Sequence, residues 1–201
     1  MNSAAAFVPR FGYSPAPDTK PAVLDLRAVY ALLTGPALRQ KTARVQAAPA
    51  GSIVQAGIIN TLPTITTAGV FASRCADENL TQFSRCLLLD FEQVPSVAAA
   101  RAALLADPVL GPEILLLFDS PQGRGFRAIV AAFPGAPGCW PASGQPDLTP
   151  TEARQSLAAN FLGWSIHVQA WHGLRARPHT KTLTHACRLG HDPAAWLAPG
   201  W

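Results

Sequence analysis

The sequence predicts a single α/β (α+β) domain in which a mixed sheet is flanked by helices. Three strongly apolar segments of strand length lie close together, at residues 86–92, 114–118 and 126–133. A helical pattern that begins after Ser96 separates the first two segments, and a tight glycine turn separates the last two. The order strand, helix, strand, turn, strand is typical of a sheet with helices packed against it.

Length and composition agree with a folded domain that has its own core. The chain has 201 residues, of which 49% are hydrophobic and 14% charged, so general disorder is excluded. No apolar run approaches the roughly 18 residues that span a bilayer, and the N-terminus lacks the pattern of a secretory leader. We therefore expect a cytoplasmic protein. The four cysteines, Cys75, Cys86, Cys139 and Cys187, are far apart in sequence, which favours buried thiols over disulfides or a zinc site.

The first part of the chain predicts an arm, a helix and a basic segment. Residues 1–20 are rich in proline and poor in large apolar side chains, which indicates a flexible N-terminal arm before a single domain at residues 21–201. Apolar residues at helical spacing between Pro21 and Gly35 predict a helix. Residues 39–50 contain three basic residues and no acid. This segment is either a solvated connector or a nucleic-acid contact.

The remaining elements have clear local signals. Residues 58–71 are rich in Thr, Ile and Val and predict an edge strand, with a bulge or turn at Gly69. Residues 135–150 predict a long loop. Thr149 and Glu152 form a capping-box pattern that begins a helix. Apolar side chains then recur on one face of that helix and predict a buried stripe of Leu157, Phe161, Trp164, Val168 and Trp171.

An acidic pair ends the first of the three apolar strands. Asp90 and Glu92 are two residues apart, so they face the same side of a strand. Two carboxylates about 5 Å apart repel by roughly 3 kcal/mol at an effective dielectric near 20. A divalent cation relieves this repulsion, and carboxylates are the ligands that Mg²⁺ or Mn²⁺ prefers. The alternative is that an arginine at the strand end pairs with one of the acids.

The turn between the second and third strands is rich in glycine and arginine. Residues 119–127 read Asp-Ser-Pro-Gln-Gly-Arg-Gly-Phe-Arg. Glycines let backbone N–H groups approach an anion closely, while Ser120, Arg124 and Arg127 provide side-chain donors. Strand alternation directs Arg127 across the sheet toward the acidic pair. Taken together, the turn and the acids have the composition of a nucleoside-triphosphate site, in which a metal bridges phosphate oxygens and arginine offsets developing charge.

Histidines lie in the last third of the chain without a recognised metal spacing. They are His167, His172, His179, His185 and His191. Each is expected to be an ordinary surface or core residue, and His191 is distinguished only by its position next to Asp192 and Pro193.

Four segments resemble the VirE N-terminal domain family, which is related to the archaeo-eukaryotic primases. The segments are residues 62–71, 83–92, 120–127 and 183–193. The resemblance implies a sheet of the primase-polymerase or RRM-like type. It implies a site in which Mg²⁺ or Mn²⁺ binds Asp90 and Glu92. Nucleotide phosphates would bind four residues of the turn, Ser120, Gly123, Arg124 and Gly125. Arg127 would stand in for the histidine of the superfamily's second motif, and Asp192 is the candidate for its third acid.

The function implied is that of a primase-polymerase-like nucleotidyltransferase domain in a mobile-element replication protein. Its partners would be a nucleoside triphosphate, a single-stranded DNA template and a helicase-like domain or protein. The alternative is a catalytically degenerate module that binds single-stranded DNA or a replication or mobilisation partner. In a third interpretation the acidic pair is purely structural.

Overall fold

The computed structural model describes residues 8–16, 22–72, 76–132 and 148–201. The α-helices in these ranges are α1 (Leu26–Thr34), α2 (Arg39–Ala47), α3 (Ile53–Asn60), α4 (Val97–Leu105) and α5 (Pro150–His172). The strands are β1 (Phe11–Ser14), β2 (Ala22–Leu24), β3 (Thr64–Thr66), β4 (Gly69–Phe71), β5 (Leu80–Phe83), β6 (Cys86–Phe91), β7 (Ile114–Asp119), β8 (Phe126–Ala131), β9 (Ala186–Arg188) and β10 (Trp196–Leu197).

The strands form two four-stranded sheets and a hairpin. The central sheet has the order β10-β7-β8-β6, the outer sheet has the order β2-β1-β3-β9, and β4 pairs with β5. The predicted α+β class is therefore confirmed. Every neighbouring pair among the described strands is antiparallel. Because β6 and β7 are both antiparallel to β8, which lies between them, they end on the same side of the sheet, where β8 begins. We call this side the turn end of the central sheet.

Two apolar cores cover the two faces of the central sheet. On one face, side chains such as Leu87, Leu89 and Ala128 pack with α4 and α5. On the other face, side chains such as Leu88 and Ile129 pack with α1 and the outer sheet. All six residues of β6 and all six of β8 are buried. Burial on both faces explains why these strands are continuously apolar rather than alternating.

The helix signals in the second half of the chain are confirmed. Ser96 caps α4, and Thr149 and Glu152 form the predicted capping box of α5, which ends at Gly173 in the left-handed conformation. The predicted stripe is buried from Leu157 to Val168. The inclusion of Trp171 was wrong: its side chain is 75% exposed, because the last turn of α5 contacts Asp107 through His172 instead of extending the core.

The N-terminal half differs from the expectation. Residues 11–14 form a strand, β1, rather than part of an arm, because Phe11 is fully buried and β1 pairs with both β2 and β3. The predicted helix begins at Leu26, and residues 22–24 form β2 instead. The basic segment is helical as α2, and the Ile58–Asn60 end of the predicted strand belongs to α3. Residues 64–66 and 69–71 form the strands β3 and β4, with a bulge between Val70 and Phe71.

Several remaining expectations concern cysteines and the long loop. Cys86 and Cys187 are buried free thiols, as predicted. Cys75, Cys139 and most of the predicted loop at 135–150 lie outside the described residues. Across the described ranges, the helices are too short or too polar to cross a membrane.

Candidate functional site

The turn end of the central sheet brings the acidic pair and the glycine turn together. Asp90 on β6 lies directly opposite Arg127 on β8. The Arg127 Nε donates to Asp90 Oδ1 at 3.2 Å, as strand alternation predicted. Asp90 has 1% of its surface exposed and Arg127 8%, so this is a buried ion pair.

The chain near residue 188 completes the environment of Arg127. The Arg127 Nη1 donates to the Arg188 carbonyl oxygen at 2.6 Å. Burial lowers the pKa of the Arg127 guanidinium, but the neighbouring Cys187, Asp90 and Glu92 outweigh burial and raise it. Arg127 is therefore a fixed positive charge. Burial also raises the pKa of the Cys187 thiol to about 11, so Cys187 is not a thiolate nucleophile at neutral pH.

Glu92 lies just beyond the end of β6 and has an arginine partner of its own. Its carboxylate accepts a hydrogen bond from Arg177 Nη1, and the side chains of Glu92 and Arg177 are 38% and 41% exposed. The Arg177 backbone N–H also donates to the Asp90 carbonyl oxygen at 2.9 Å. The segment that follows α5 thus closes the turn end. The turn end thus contains two ion pairs, Asp90 with Arg127 and Glu92 with Arg177, whose four charges sum to zero.

The glycine turn is packed tightly against the end of β6. The Ser120 N–H donates to the Gly125 carbonyl oxygen, and the Gly123 N–H donates to the Ser120 carbonyl oxygen, each at 2.9 Å. Gly123 has a φ of +71°. A side chain on Gly125 would overlap the Phe91 carbonyl oxygen, so only glycine fits at that position. Ser120 is buried, whereas Arg124 is exposed at the tip of the turn.

Asp192, the candidate third acid, has a different set of partners. Its Oδ2 accepts from the Asp119 backbone N–H at 2.8 Å and from Arg101 Nη1 at 3.1 Å. Its Oδ1 accepts from the Ala194 N–H at 2.9 Å. Arg101 also pairs with Asp119 at 2.5 Å. These contacts join Asp192 to the end of β7 and to α4, rather than to the Asp90–Arg127 pair.

A cleft of about 260 Å³ lies beside Asp119 and Asp192. It is lined by Arg39, Thr42, Ala43, Gln46, Asp119, His191, Asp192 and Pro193. The His191 Nδ1 is 3.0 Å from the Leu33 carbonyl oxygen, so Nδ1 donates a hydrogen bond to that oxygen. A side-chain carbon on Gly123 would lie 3.5 Å from Gln46 Nε2, so the cleft adjoins the glycine turn.

Sequence reasoning missed several residues of this region. Gln46 lines the cleft from α2 without a signal of its own, next to Arg39 of the basic segment that was already a candidate nucleic-acid contact. Arg177 and Arg101 had no local signal, because each meets its carboxylate partners from a distant part of the sequence. The same holds for His167 and His172, which meet Asp107 across 60 and 65 residues.

The comparison with known families identifies a matching family model. The model of the BT4734-like N-terminal domain matches residues 58–196. All four segments at 62–71, 83–92, 120–127 and 183–193 fall within this match. The resemblance to the VirE N-terminal domain family was therefore wrong, since the matched family is a different one, and no relation to primases follows from it. No curated protein and no solved structure matches the chain.

Proposed function

Since the chain belongs to the BT4734-like N-terminal domain family, whose description names no activity, we propose a function from the residues of the site. The turn end of the central sheet binds the phosphates of a nucleoside triphosphate together with Mg²⁺ or Mn²⁺. The reaction it supports is metal-dependent nucleotidyl transfer on a single-stranded DNA template. A mobile element and a helicase-like partner are not part of the proposed function, because the family match contradicts the resemblance that implied them.

The observation that supports this proposal is the presence of two ion pairs, Asp90 with Arg127 and Glu92 with Arg177, at one end of the sheet. As it stands the group is neutral, so neither a cation alone nor a phosphate alone is strongly attracted to it. A divalent cation and a nucleoside triphosphate that arrive together offset part of each other's charge. In the bound state each carboxylate contacts the metal instead of an arginine. Each arginine then contacts a phosphate instead of a carboxylate. Metal and nucleotide binding are therefore coupled in this proposal.

Each residue has a role in the proposed reaction. Asp90 and Glu92 would hold the metal, which would supply a positive charge to stabilise the phosphates. Arg127 and the exposed Arg124 offset the charge that develops on the phosphates, while the glycine turn lets the chain approach them closely. A 3′-hydroxyl oxygen would attack the α-phosphorus, the bond from the α-phosphorus to the oxygen it shares with the β-phosphate would break, pyrophosphate would leave, and the hydroxyl proton would pass to solvent water.

A second candidate is a module that binds single-stranded DNA without catalysis. Two observations favour it: Asp90 is almost fully buried with its carboxylate on Arg127, and Asp192 is engaged with Arg101 and β7. The basic residues of α2 would then contact the phosphate backbone beside the cleft.

The test compares Glu92→Gln and Arg124→Gln with the control Glu78→Gln, all at exposed positions. Binding of a fluorescent nucleoside triphosphate is measured by anisotropy with and without Mg²⁺, and primer extension is measured on single-stranded template. We expect Mg²⁺ to tighten binding in the wild type and in Glu78→Gln, but not in Glu92→Gln. Arg124→Gln should weaken binding in both conditions.

The same experiment separates the two candidates. Salt-sensitive DNA binding that is unchanged by Glu92→Gln, with no extension by the wild type, would favour the binding module. Binding of neither nucleotide nor DNA would overturn both proposals.

A further inference from the structure

A second cluster of chemically active side chains lies away from the turn end, between the end of α4 and the end of α5. The carboxylate oxygen Oδ2 of Asp107 is 2.9 Å from His167 Nε2 and 2.6 Å from His172 Nε2. The three ligand atoms all lie within 4.8 Å of one another. The side chains of His167 and His172 are 17% and 15% exposed, and that of Asp107 is 5% exposed.

The backbone fixes the orientation of this carboxylate. Asp107 follows α4, and its Oδ1 accepts the backbone N–H groups of Val109 and Leu110, both at 2.8 Å. Because Oδ1 is satisfied by the backbone, Oδ2 is left to face α5. His167 and His172 are five residues apart in the last turns of that helix, which ends at Gly173. Both imidazoles thus present Nε2 to the same oxygen.

We propose that Asp107, His167 and His172 form a binding site for a zinc-class divalent cation, with the fourth position open to water. Two imidazole nitrogens and one carboxylate oxygen are a donor set that suits Zn²⁺, Co²⁺ or Ni²⁺ rather than Mg²⁺. In a tetrahedral site with bonds near 2.0–2.1 Å, neighbouring ligand atoms are about 3.3 Å apart. The observed separations of the oxygen from the nitrogens are within 1 Å of this value.

The position of the site indicates what the cation does. The cation joins the turn after α4 to the end of α5. These two helices otherwise contact the same core through their apolar faces. Three protein ligands and partial exposure leave room for a water molecule, as in zinc sites that are open to solvent. This proposal is independent of the function proposed for the turn end, which requires a hard cation on carboxylates.

Two tryptophans provide a direct signal for binding. The ring centroid of Trp164 is 5.8 Å from that of His167, and the ring of Trp171 is 6.3 Å from it. A paramagnetic ion held by His167 therefore quenches their fluorescence. Tetrahedral Co²⁺ also has a visible absorption band that is far more intense than the weak band of octahedral Co²⁺ in water.

The experiment uses the tag-free chain, stripped with a chelator and then titrated with Co²⁺ and Zn²⁺. We expect one equivalent of Co²⁺ to give a visible band, which one equivalent of Zn²⁺ removes. His167→Gln and His172→Gln should each weaken Zn²⁺ binding by about tenfold or more, since loss of a second-shell partner alone costs about 10–100-fold. The matched control His185→Gln, outside the cluster, should bind as the wild type does. Equal Zn²⁺ affinity in the wild type and all three variants, or no saturable binding of Zn²⁺ to the wild type, would overturn the proposal.

A measurement on the wild type avoids any dependence on folding of the variants. Histidines are modified with diethylpyrocarbonate with and without Zn²⁺, and the modified positions are identified by mass spectrometry. Protection of His167 and His172 by Zn²⁺, with His185 unchanged, supports the site. Equal modification of His167 and His172 in both conditions contradicts it.

Discussion

Asp90 and Arg127 form a buried pair whose members depend on each other. Removal of one partner from such a pair leaves an uncompensated buried charge and costs about 3–5 kcal/mol. Asp90→Asn and Arg127→Gln should therefore each lower the free energy of unfolding by this amount, as measured by urea titration. In the double variant neither charge remains, so its loss should be smaller than the sum of the single losses by about 1–3 kcal/mol. Additive losses would mean that the two side chains are not energetically coupled.

Glu113 is a buried carboxyl beside the start of β7. Burial raises the pKa of the Glu113 carboxyl above its ordinary value. The folded state therefore holds the proton more tightly than the unfolded state, and the contribution of Glu113 to stability falls as pH rises from about 4.3 upward through the folded pKa.

Glu113→Gln removes this titration. Relative to the wild type, it should raise the melting temperature at pH 7 and lose that advantage near pH 4. Glu78→Gln, at an exposed position, controls for the change in net charge. A difference between wild type and Glu113→Gln that is the same at both pH values would contradict the prediction.

At the scale of elements, two glycines test how tightly the glycine turn is built. A methyl group on Gly125 would overlap the Phe91 carbonyl oxygen, whereas one on Gly163, in α5, meets nothing within 4 Å. Gly125→Ala should therefore lower the free energy of unfolding by roughly 2–3 kcal/mol. Gly163→Ala should raise it by up to about 1 kcal/mol, because alanine is the better helix former. Thermal and urea unfolding measure the stability of both variants. Equal changes in the free energy of unfolding would be inconsistent with the close packing of the turn.

The elements that were predicted correctly are those whose signals are local. Ser96 and the pair Thr149 and Glu152 mark helix starts through hydrogen bonds within a few residues. The strands β6, β7 and β8 have long apolar runs because the central sheet is buried on both faces. The strand β1 has only Phe11 and its neighbours as a signal, and it exists because β2 and β3 pair with it. Tertiary pairing of this kind cannot be found by examining a short stretch of sequence.

The contacts of the candidate site also divide into those that have a local sequence signal and those that do not. Strand alternation predicted that Arg127 points toward the acidic pair, whereas its position directly opposite Asp90 depends on the pairing of β6 with β8 across an intervening helix and strand. The partners Arg177 and Arg101 come from elsewhere in the chain. The spacing of five between His167 and His172 is uninformative until Asp107 is placed beside them. Contacts between residues far apart in sequence depend on how the layers pack, which local patterns do not encode.

At the scale of the whole molecule, the matched family region is smaller than the folded unit. The match begins at residue 58, but α1 and β1 lie before it and line the core beneath the central sheet. Phe11, Leu26, Val29 and Leu33 are each at most 1% exposed there. Burial of four such side chains contributes about 6–12 kcal/mol. That sum is comparable with the roughly 5–15 kcal/mol that stabilises a whole domain.

A chain of residues 58–201 should therefore fail to fold cooperatively. In this shortened chain β3 has no β1 to pair with, and the face of the central sheet that carries Leu88 and Ile129 is left uncovered. We expect no sharp thermal transition by circular dichroism, and strong binding of a hydrophobic dye to the exposed sheet. A chain of residues 8–201 keeps β1 and α1, and its melting temperature should lie within a few degrees of that of the full chain. If residues 58–201 instead melt sharply at the same temperature as the full chain, the first 57 residues are not part of the folding unit.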